Sequence, residues 1–460
     1  MLAVVIRFQG GTLLVEGRSL ADLPGGFVWD PRVQLPRGPG YLYHDVVLGL
    51  HQQRIPYVDE ARQYVLLDRP LLSSRQARSY QKEAVDAWRT AGRRGVVVLP
   101  TGSGKSFVAE LCIESANRSA LVVVPTIDLL GQWYDGMMRT FGGPVGILGG
   151  GHHEVCDITV ATYDSAWMHM ERYGNRFGLI VFDEVHHLPG PSYSEAARAC
   201  IAPFRLGLTA TLERPDGAHH ALDNLLGQVV YRKEITELAG DFLADYQTHV
   251  LTVHLSEEER LRYEEARQTY REFVDEQGIR MGGPGGWQQF LRASSRSKKG
   301  REAFGCWRES RRIVQGSAAK VRLLVELLNT HRSGRVIVFT NDNATVYEIS
   351  RSLLIPAITH QTDAKERRLI LANFEAGIWP VIATSRVLNE GVDMPGADVA
   401  IVLSGSNTVR EHVQRLGRIL RPQAGKRAVL YELVVADSLE ERSSARRREH
   451  VAYKSAPELG

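Results

Sequence analysis

Leu99-Pro100-Thr101-Gly102-Ser103-Gly104-Lys105-Ser106 follows the apolar run Gly95-Val96-Val97-Val98. A buried strand that turns through glycines into a helix presents backbone N–H groups and a helix N-terminus to a polyphosphate. In that setting Thr101, Gly102, Ser103 and Gly104 wrap the phosphates, Lys105 reaches their distal end and Ser106 holds Mg²⁺. Leu99 stands where the G-x-x-x-x-G-K-[ST] pattern has its first glycine, so this segment alone is an incomplete match. A second apolar run, Leu179-Ile180-Val181-Phe182, ends in Asp183-Glu184. There Asp183 completes the metal site and Glu184 polarises the attacking water. Alone, a carboxylate pair reads most simply as solvated. Two strand-end elements in this order point to an ATP-hydrolysing site.

The 460 residues, at roughly 100–200 per domain, correspond to about three domains. Lys and Arg total 56 against 53 Asp and Glu, a net charge of +3, so a polyanion would have to be met by local basic patches. Cys112, Cys156, Cys200 and Cys306 form no C-x-x-C pair. That spacing argues against a zinc finger and a secreted disulfide scaffold and points to a reducing compartment. His152-His153 with Cys156, and His219-His220, read as polar loops in preference to metal ligands. No apolar run approaches the ~20 residues of a membrane span, and a strand pattern begins at Met1 in place of a signal sequence. The expectation is a soluble, cytoplasmic monomer.

Working outward, apolar strands alternate with helices from about Arg75 to Thr248, at residues 95–99, 120–124, 158–161, 179–182 and 205–209. The alternation resumes from about Ala318 to Val435, with strands at 336–339, 381–384, 399–403 and 429–433. This predicts an α/β protein of two parallel-sheet lobes, only the first of which carries a phosphate loop. Ahead of them, residues 2–8 and 12–15 flank Gln9-Gly10-Gly11, a hairpin signal. With a helical stretch over residues 41–53 they make a small α+β module. Phe27, Trp29 and Arg32 read either as its partner-facing residues or, for the aromatics, as its core.

Between the lobes, Ser256-Glu257-Glu258-Glu259 is a capping box opening a helix that continues through Tyr263, Ala266, Tyr270 and Phe273. After the glycine-rich turn at 281–286, Arg292, Arg296, Lys298, Lys299, Arg301, Arg308, Arg311 and Arg312 interleave with Phe290, Phe304 and Trp307. A groove against nucleic acid is one reading; an amphipathic hairpin with its aromatics in a core is the other. The boundaries are then a module over 1–70, a first lobe over 71–250, a helical thumb over 251–315, a second lobe over 316–440 and a basic tail over 441–460.

In the second lobe, Gln414-Arg415-Leu416-Gly417-Arg418-Ile419-Leu420-Arg421 spaces its arginines three apart, on one face of a helix. Turned toward a nucleotide, Arg418 and Arg421 act as arginine fingers, worth about 10³–10⁵ in rate in proteins that use them. Leu208-Thr209-Ala210-Thr211 and Asn389-Glu390-Gly391-Val392-Asp393 fall where coupling loops belong.

Taken together these segments resemble superfamily 2 helicases, over nearly the whole chain. Arg78-Ser79-Tyr80-Gln81 is similar to the adenine-reading element and Pro100 to Ser106 to motif I. Pro125-Thr126 with Gln132 resembles motif Ia, Thr162-Tyr163-Asp164 motif Ib and Asp183-Glu184-Val185-His186 motif II. Thr209-Ala210-Thr211 resembles motif III, Phe339-Thr340 motif IV, the Gly391–Asp393 segment motif V, and Gln414 to Arg421 motif VI. The run Asp183 to Leu188, the run Ile201 to Leu208, the N-terminal module and the thumb narrow the resemblance to the XPB-type helicases of repair and transcription. Their Arg-Glu-Asp loop after motif III corresponds here to Arg214-Pro215-Asp216, which lacks the central carboxylate.

The resemblance implies an ATP- and Mg²⁺-dependent DNA helicase or translocase moving 3′ to 5′ in nucleotide excision repair, with an N-terminal module sensing distorted DNA and a nuclease as partner. Arg78 and Gln81 would read adenine, Gly391 and Asp393 would border the nucleotide, and Gln414 would join Arg418 and Arg421 in catalysis. His186 with Thr209, Ala210 and Thr211 would relay the nucleotide state. Thr126, Thr162 and Thr384 would contact the DNA backbone, positioning it without reading its sequence, while Arg214 and Asp216 would act as a wedge. An RNA remodeller, and an ATP switch that loads a nuclease without unwinding, are the alternatives.

Overall fold

The computed structural model describes residues 3–213, 216–283, 285–385, 397–404 and 427–448. Contacts divide it into two units, one comprising Met1–Glu237 and the other beginning at Leu238.

The first unit holds two sheets. Its N-terminal module is a five-stranded sheet in the order Val28–Asp30, Leu35–Pro39, Thr12–Glu16, Val4–Gln9, Tyr57–Asp59, backed by the helix Tyr43–Gln52. The hairpin turn is made by Gly10 and Gly11, both at positive φ, the twist-matched turn that favours glycine. Gly11 and Gly40 also let the module approach the lobe behind it. A Cβ on Gly11 would lie 2.8 Å from Ala199 Cβ, and one on Gly40 would lie 2.9 Å from the Ala199 carbonyl oxygen. Ile201 of the lobe is buried in the module's own core with Val4, Ile6, Leu13 and Tyr43. Phe27 packs against that core, whereas Trp29 is 49% exposed.

The connecting chain is strapped to the lobe: Val65 and Ser119 exchange hydrogen bonds, and Leu72 N–H donates to the Thr140 carbonyl at 2.7 Å.

The lobe itself is an eight-stranded sheet in the order Val229–Arg232, Arg94–Val98, Phe204–Thr209, Leu179–Phe182, Ala120–Val124, Ile158–Thr162, Val145–Gly149, His152–Glu154. All pairs are parallel except the last. Every residue of Ala120–Val124 and Leu179–Phe182 is buried, which is why they read as unbroken apolar runs: helices cover both faces of a parallel sheet. His152–Glu154, expected as a loop, is instead an exposed edge strand.

Arg205 is fully buried, its guanidinium donating to the carbonyls of Ala197, Cys200, Ala202 and Leu225. Burial and the neighbouring Arg94 push it down to about 9.

The second unit is a six-stranded parallel sheet in the order Asp245–Val253, Arg427–Val435, Val399–Val402, Val336–Phe339, Val381–Thr384, Ala357–Ile358. The strand Asp245–Val253 pairs over its whole length with Arg427–Val435. The boundary expected at 250 therefore falls inside a strand, and the chain changes unit at 238.

Three helices follow, Glu257–Glu276, Gly286–Arg296 and Lys298–Gln315, the first capped by Ser256 and Glu259 as expected. Phe290 is fully buried with Tyr270 and Phe273, and Phe304 and Trp307 pack against them. The aromatics thus form a small core, as the amphipathic reading expects. Arg292, Arg296, Lys298, Arg301 and Arg308 remain exposed around it, while Lys299 pairs with Glu276 and Arg312 with Glu309.

The described part of the basic tail belongs to the helix Leu439–Arg448. In its first turn Leu439 and Glu441 are exposed, whereas Glu440 turns inward, its Oε2 meeting the fully buried Lys320 Nζ at 2.6 Å. No helix among the described residues is long and apolar enough to cross a membrane.

Candidate nucleotide site

Three adjacent strands of the first lobe, Arg94–Val98, Phe204–Thr209 and Leu179–Phe182, end side by side and bring the candidate residues together. After the first, Leu99 N–H donates to the Thr209 carbonyl at 3.0 Å, and the chain loops into the helix Lys105–Ala116. Gly102 and Gly104 sit at φ +84° and +82°, the left-handed backbone that glycine adopts without strain. The helix N-terminus has no side-chain cap, so its N–H groups point outward toward any anion. Thr101 Oγ1 is buried without a hydrogen-bond partner, an unmet polar atom of the kind a ligand satisfies. Lys105 Nζ rests on the Leu99 carbonyl at 3.3 Å, and Ser106 is exposed.

The loop is braced from behind. Tyr80 OH donates to the Ser103 carbonyl at 2.6 Å. Gln81 Nε2 donates to the Ser103 carbonyl at 3.0 Å while its Oε1 accepts from Arg78 N–H at 3.0 Å. Expected to read adenine directly, Gln81 is buried here and spends its amide on the loop, because the capping box that starts the helix Ser79–Thr90 turns that amide inward.

Asp183, at the end of Leu179–Phe182, is buried, and each carboxylate oxygen accepts one hydrogen bond. Oδ2 accepts from Trp133 Nε1 at 2.9 Å and Oδ1 from Glu184 N–H at 3.0 Å. Burial and the Glu184 charge push Asp183 up to about 6, against the opposing pull of Lys105. Glu184 adopts a left-handed backbone at φ +46°. Its Oε2 lies 3.4 Å from His186 Nδ1 and 3.5 Å from Thr209 Oγ1. Thr209 Oγ1 in turn donates to the Thr211 carbonyl at 2.9 Å, and Ala210 lies between them. The lobe thus gathers Lys105, Asp183, Glu184, His186, Thr209 and Thr211 along one sheet edge.

Other expectations fare differently. Thr126 and Thr162 are helix N-caps, accepting from Leu129 N–H and Ser165 N–H at 3.2 Å each. Thr162 is buried, and its hydroxyl donates to Ser165 Oγ at 3.0 Å. Thr384 is fully buried, its hydroxyl shared between the carbonyls of Ile358 and Ser385. A phosphate contact by the Thr162 or Thr384 side chain is therefore corrected: cap geometry and strand burial turn both hydroxyls inward. Asp216 is exposed, with Oδ1 accepting from Ala218 N–H. Arg214, Gly391, Asp393, Gln414, Arg418 and Arg421 lie outside the described residues.

Trp133 and Tyr163 make contacts to Asp183 that sequence reasoning missed. For Trp133 the signal was its position next to Gln132, about two helical turns beyond Thr126.

Comparison with known proteins agrees along the chain. Residues 6–61 match the Xeroderma pigmentosum group B helicase damage recognition domain. Residues 74–214 match the type III restriction enzyme res subunit, and residues 319–423 the helicase conserved C-terminal domain. The chain is 40% identical over 449 residues to the DNA 3′-5′ translocase XPB2 of Sulfurisphaera tokodaii, covering 97% of this chain and 100% of that protein. It is 29% identical to the DNA 3′-5′ helicase XPB of Mycobacterium tuberculosis, over 82% of this chain and 64% of that one. The fold is similar to the helicase domain of Pyrococcus furiosus Hef, with TM-score 0.56, 20% identity, and coverage of 81% of this chain and 98% of that one. The two parallel-sheet lobes, the phosphate loop with its paired carboxylates, and these matches establish that the chain belongs to the XPB-type helicases of superfamily 2, an ATP-using enzyme family.

Proposed function

We propose that this protein is an ATP-driven, 3′-to-5′ DNA translocase that opens or remodels duplex DNA during excision repair. The reading is supported by the names of the relatives and carried by one observation: Glu184, His186 and Thr209 meet within 3.5 Å, beside the loop that bears Lys105. Residues that activate water are thereby wired to residues that report it.

Glycine-permitted loop geometry, the uncapped helix N-terminus and the unmet Thr101 hydroxyl fit a nucleotide triphosphate. Asp183 and Ser106 would hold Mg²⁺, which neutralises charge developing on the transferred phosphoryl group. Thr101, Gly102, Ser103 and Gly104 wrap the phosphates, with Gln81 bracing that loop from behind and Arg78 assigned to the adenine on the strength of motif likeness. Lys105 leaves its carbonyl perch to neutralise the β- and γ-phosphates. Glu184 orients the attacking water, and His186 with Thr209 senses its carboxylate. Gln414, Arg418 and Arg421 are assigned to the γ-phosphate, and Gly391 and Asp393 to the nucleotide's rim, on the strength of motif likeness.

DNA backbone contacts are assigned to Thr126 and to the N-termini of the two helices capped by Thr126 and Thr162. The N-terminal module is assigned to DNA inspection, and a nuclease is the expected partner. Arg214-Pro215-Asp216, lacking the family's central carboxylate, favours movement along duplex over efficient strand separation. Opening a duplex must overcome about 1.4 kcal/mol of stacking per base-pair step.

The test is steady-state ATP hydrolysis with no nucleic acid, single-stranded DNA, duplex DNA and RNA. Strong stimulation by duplex DNA and weak stimulation by RNA supports the proposal. Equal or greater stimulation by RNA overturns the substrate assignment.

A further inference from the structure

Asp183 is held from two sides by aromatic donors that belong to two different helices. Trp133, 4% exposed, sits on the helix Ile127–Phe141 and donates Nε1–H to Asp183 Oδ2 at 2.9 Å. Tyr163, 1% exposed, opens the helix Tyr163–Tyr173 and donates its hydroxyl to the Asp183 carbonyl oxygen at 3.0 Å.

An indole has a single donor, and when buried it must spend it. Trp88, fully buried in the same lobe, spends its donor on the Arg205 backbone carbonyl. Trp133 spends it on a carboxylate in the nucleotide site. The effect is specific. With Oδ1 accepting from Glu184 N–H and Oδ2 from the indole, the two bonds together restrain the carboxylate plane, and each oxygen keeps a lone pair for a further partner.

We propose that Trp133 is a positioning residue that orients the Asp183 carboxylate for its divalent cation, with Tyr163 securing the same residue through its backbone. The inference rests on the reading of Asp183 as a metal ligand. It also gives the helices that open at Thr126 and Thr162 a direct mechanical hold on that ligand, because each helix contributes one of the two donors. A shift of either helix along its axis lengthens a hydrogen bond to Asp183.

The test measures ADP binding, without turnover, using a fluorescent ADP analogue titrated at rising Mg²⁺ and in EDTA. Trp133→Phe keeps a ring in place and removes the donor. The Mg²⁺ concentration giving half of the cation-dependent gain in ADP affinity should rise about 10-fold, the lower end of the loss seen when a ligand's hydrogen-bond partner is removed. Affinity in EDTA should stay unchanged. Trp133→His, which restores a ring N–H, should recover most of the shift, and Tyr163→Phe should raise the midpoint about threefold, as for loss of one neutral hydrogen bond. Tyr163→Phe also serves if Trp133→Phe lowers the thermal midpoint enough to obscure binding.

A folded Trp133→Phe with the wild-type Mg²⁺ midpoint overturns the proposal while leaving the metal assignment standing. Wild-type protein whose ADP affinity is indifferent to Mg²⁺ overturns the metal assignment, and the positioning role with it.

Discussion

His186 Nδ1 lies 3.1 Å from Thr209 Oγ1, and this contact joins the ends of two neighbouring strands at the point where water would be activated. Thr209 has one hydroxyl proton and, when His186 Nδ1 carries its own proton, two acceptors in reach, the Thr211 carbonyl and Glu184 Oε2. The position of Glu184 therefore selects where that proton points, and the loop 209–211 follows. Removing the imidazole with His186→Ala should leave basal hydrolysis near wild type while stimulation by duplex DNA falls about tenfold, the equivalent of one hydrogen bond of ~1.4 kcal/mol. Paired ATPase rates with and without DNA check this; loss of both rates in equal proportion would assign His186 to the chemistry and not to the relay.

Burial and the Glu184 charge push Asp183 up to about 6. Only the ionised carboxylate ligates a divalent cation, so the Mg²⁺-dependent part of nucleotide binding is full above that range. It declines as pH falls through it, by up to about tenfold per pH unit. ADP affinity measured from pH 5 to pH 8, with Mg²⁺ and with EDTA, reads the difference. A Mg²⁺ advantage that is flat across the series contradicts it.

In the second unit, Lys320 is fully buried and its ammonium donates to the Leu403 carbonyl and to Glu440, both at 2.6 Å. Lys320→Met strands the Glu440 carboxylate in a buried site, at a cost of about 3–5 kcal/mol. Adding Glu440→Leu should restore most of that loss. Thermal unfolding of the wild type, the two single variants and the double variant gives the coupling; additive losses would mean that the pair does not anchor the helix Leu439–Arg448.

Gly40 faces the lobe at a distance that admits no side chain, a Cβ meeting the Ala199 carbonyl oxygen at 2.9 Å and the Gly11 carbonyl oxygen at 3.0 Å. Gly40→Ala should cost about 1–3 kcal/mol by overpacking and loosen the module from the lobe. The expected sign is faster proteolysis in the strap over residues 62–78 with the lobe core still intact. Unchanged proteolysis would show that the interface adapts.

Much of this fold is legible in local sequence because its central strands are buried on both faces. Ala120–Val124, Leu179–Phe182, Val336–Phe339 and Val381–Thr384 are found where their apolar runs predict them. The loop from Thr101 to Ser106 and the Asp183-Glu184 pair are equally local, since backbone freedom at two glycines and charge at a strand end are properties of single short segments.

Asp245–Val253 is not legible in this way. Asp245, Gln247, Thr248 and His249 make it polar, and its partner lies over 180 residues later; an edge strand exposed on one side carries no apolar run. Trp133 and Tyr163 read as ordinary core aromatics until their donors are traced to Asp183. The hydroxyls of Thr162 and Thr384 read as surface contacts because a motif specifies a residue type, while only packing tells which way its side chain turns.

Directional displacement tests the motor most directly. Streptavidin would be placed on a biotin at either the 3′ or the 5′ end of one strand, and its ATP-dependent release followed for the wild type and for Lys105→Ala. Release from the 5′ end alone, abolished in Lys105→Ala with DNA binding retained, is the expected result. Hydrolysis of ATP by the wild type with no release from either end would contradict a motor and leave an ATP-operated switch.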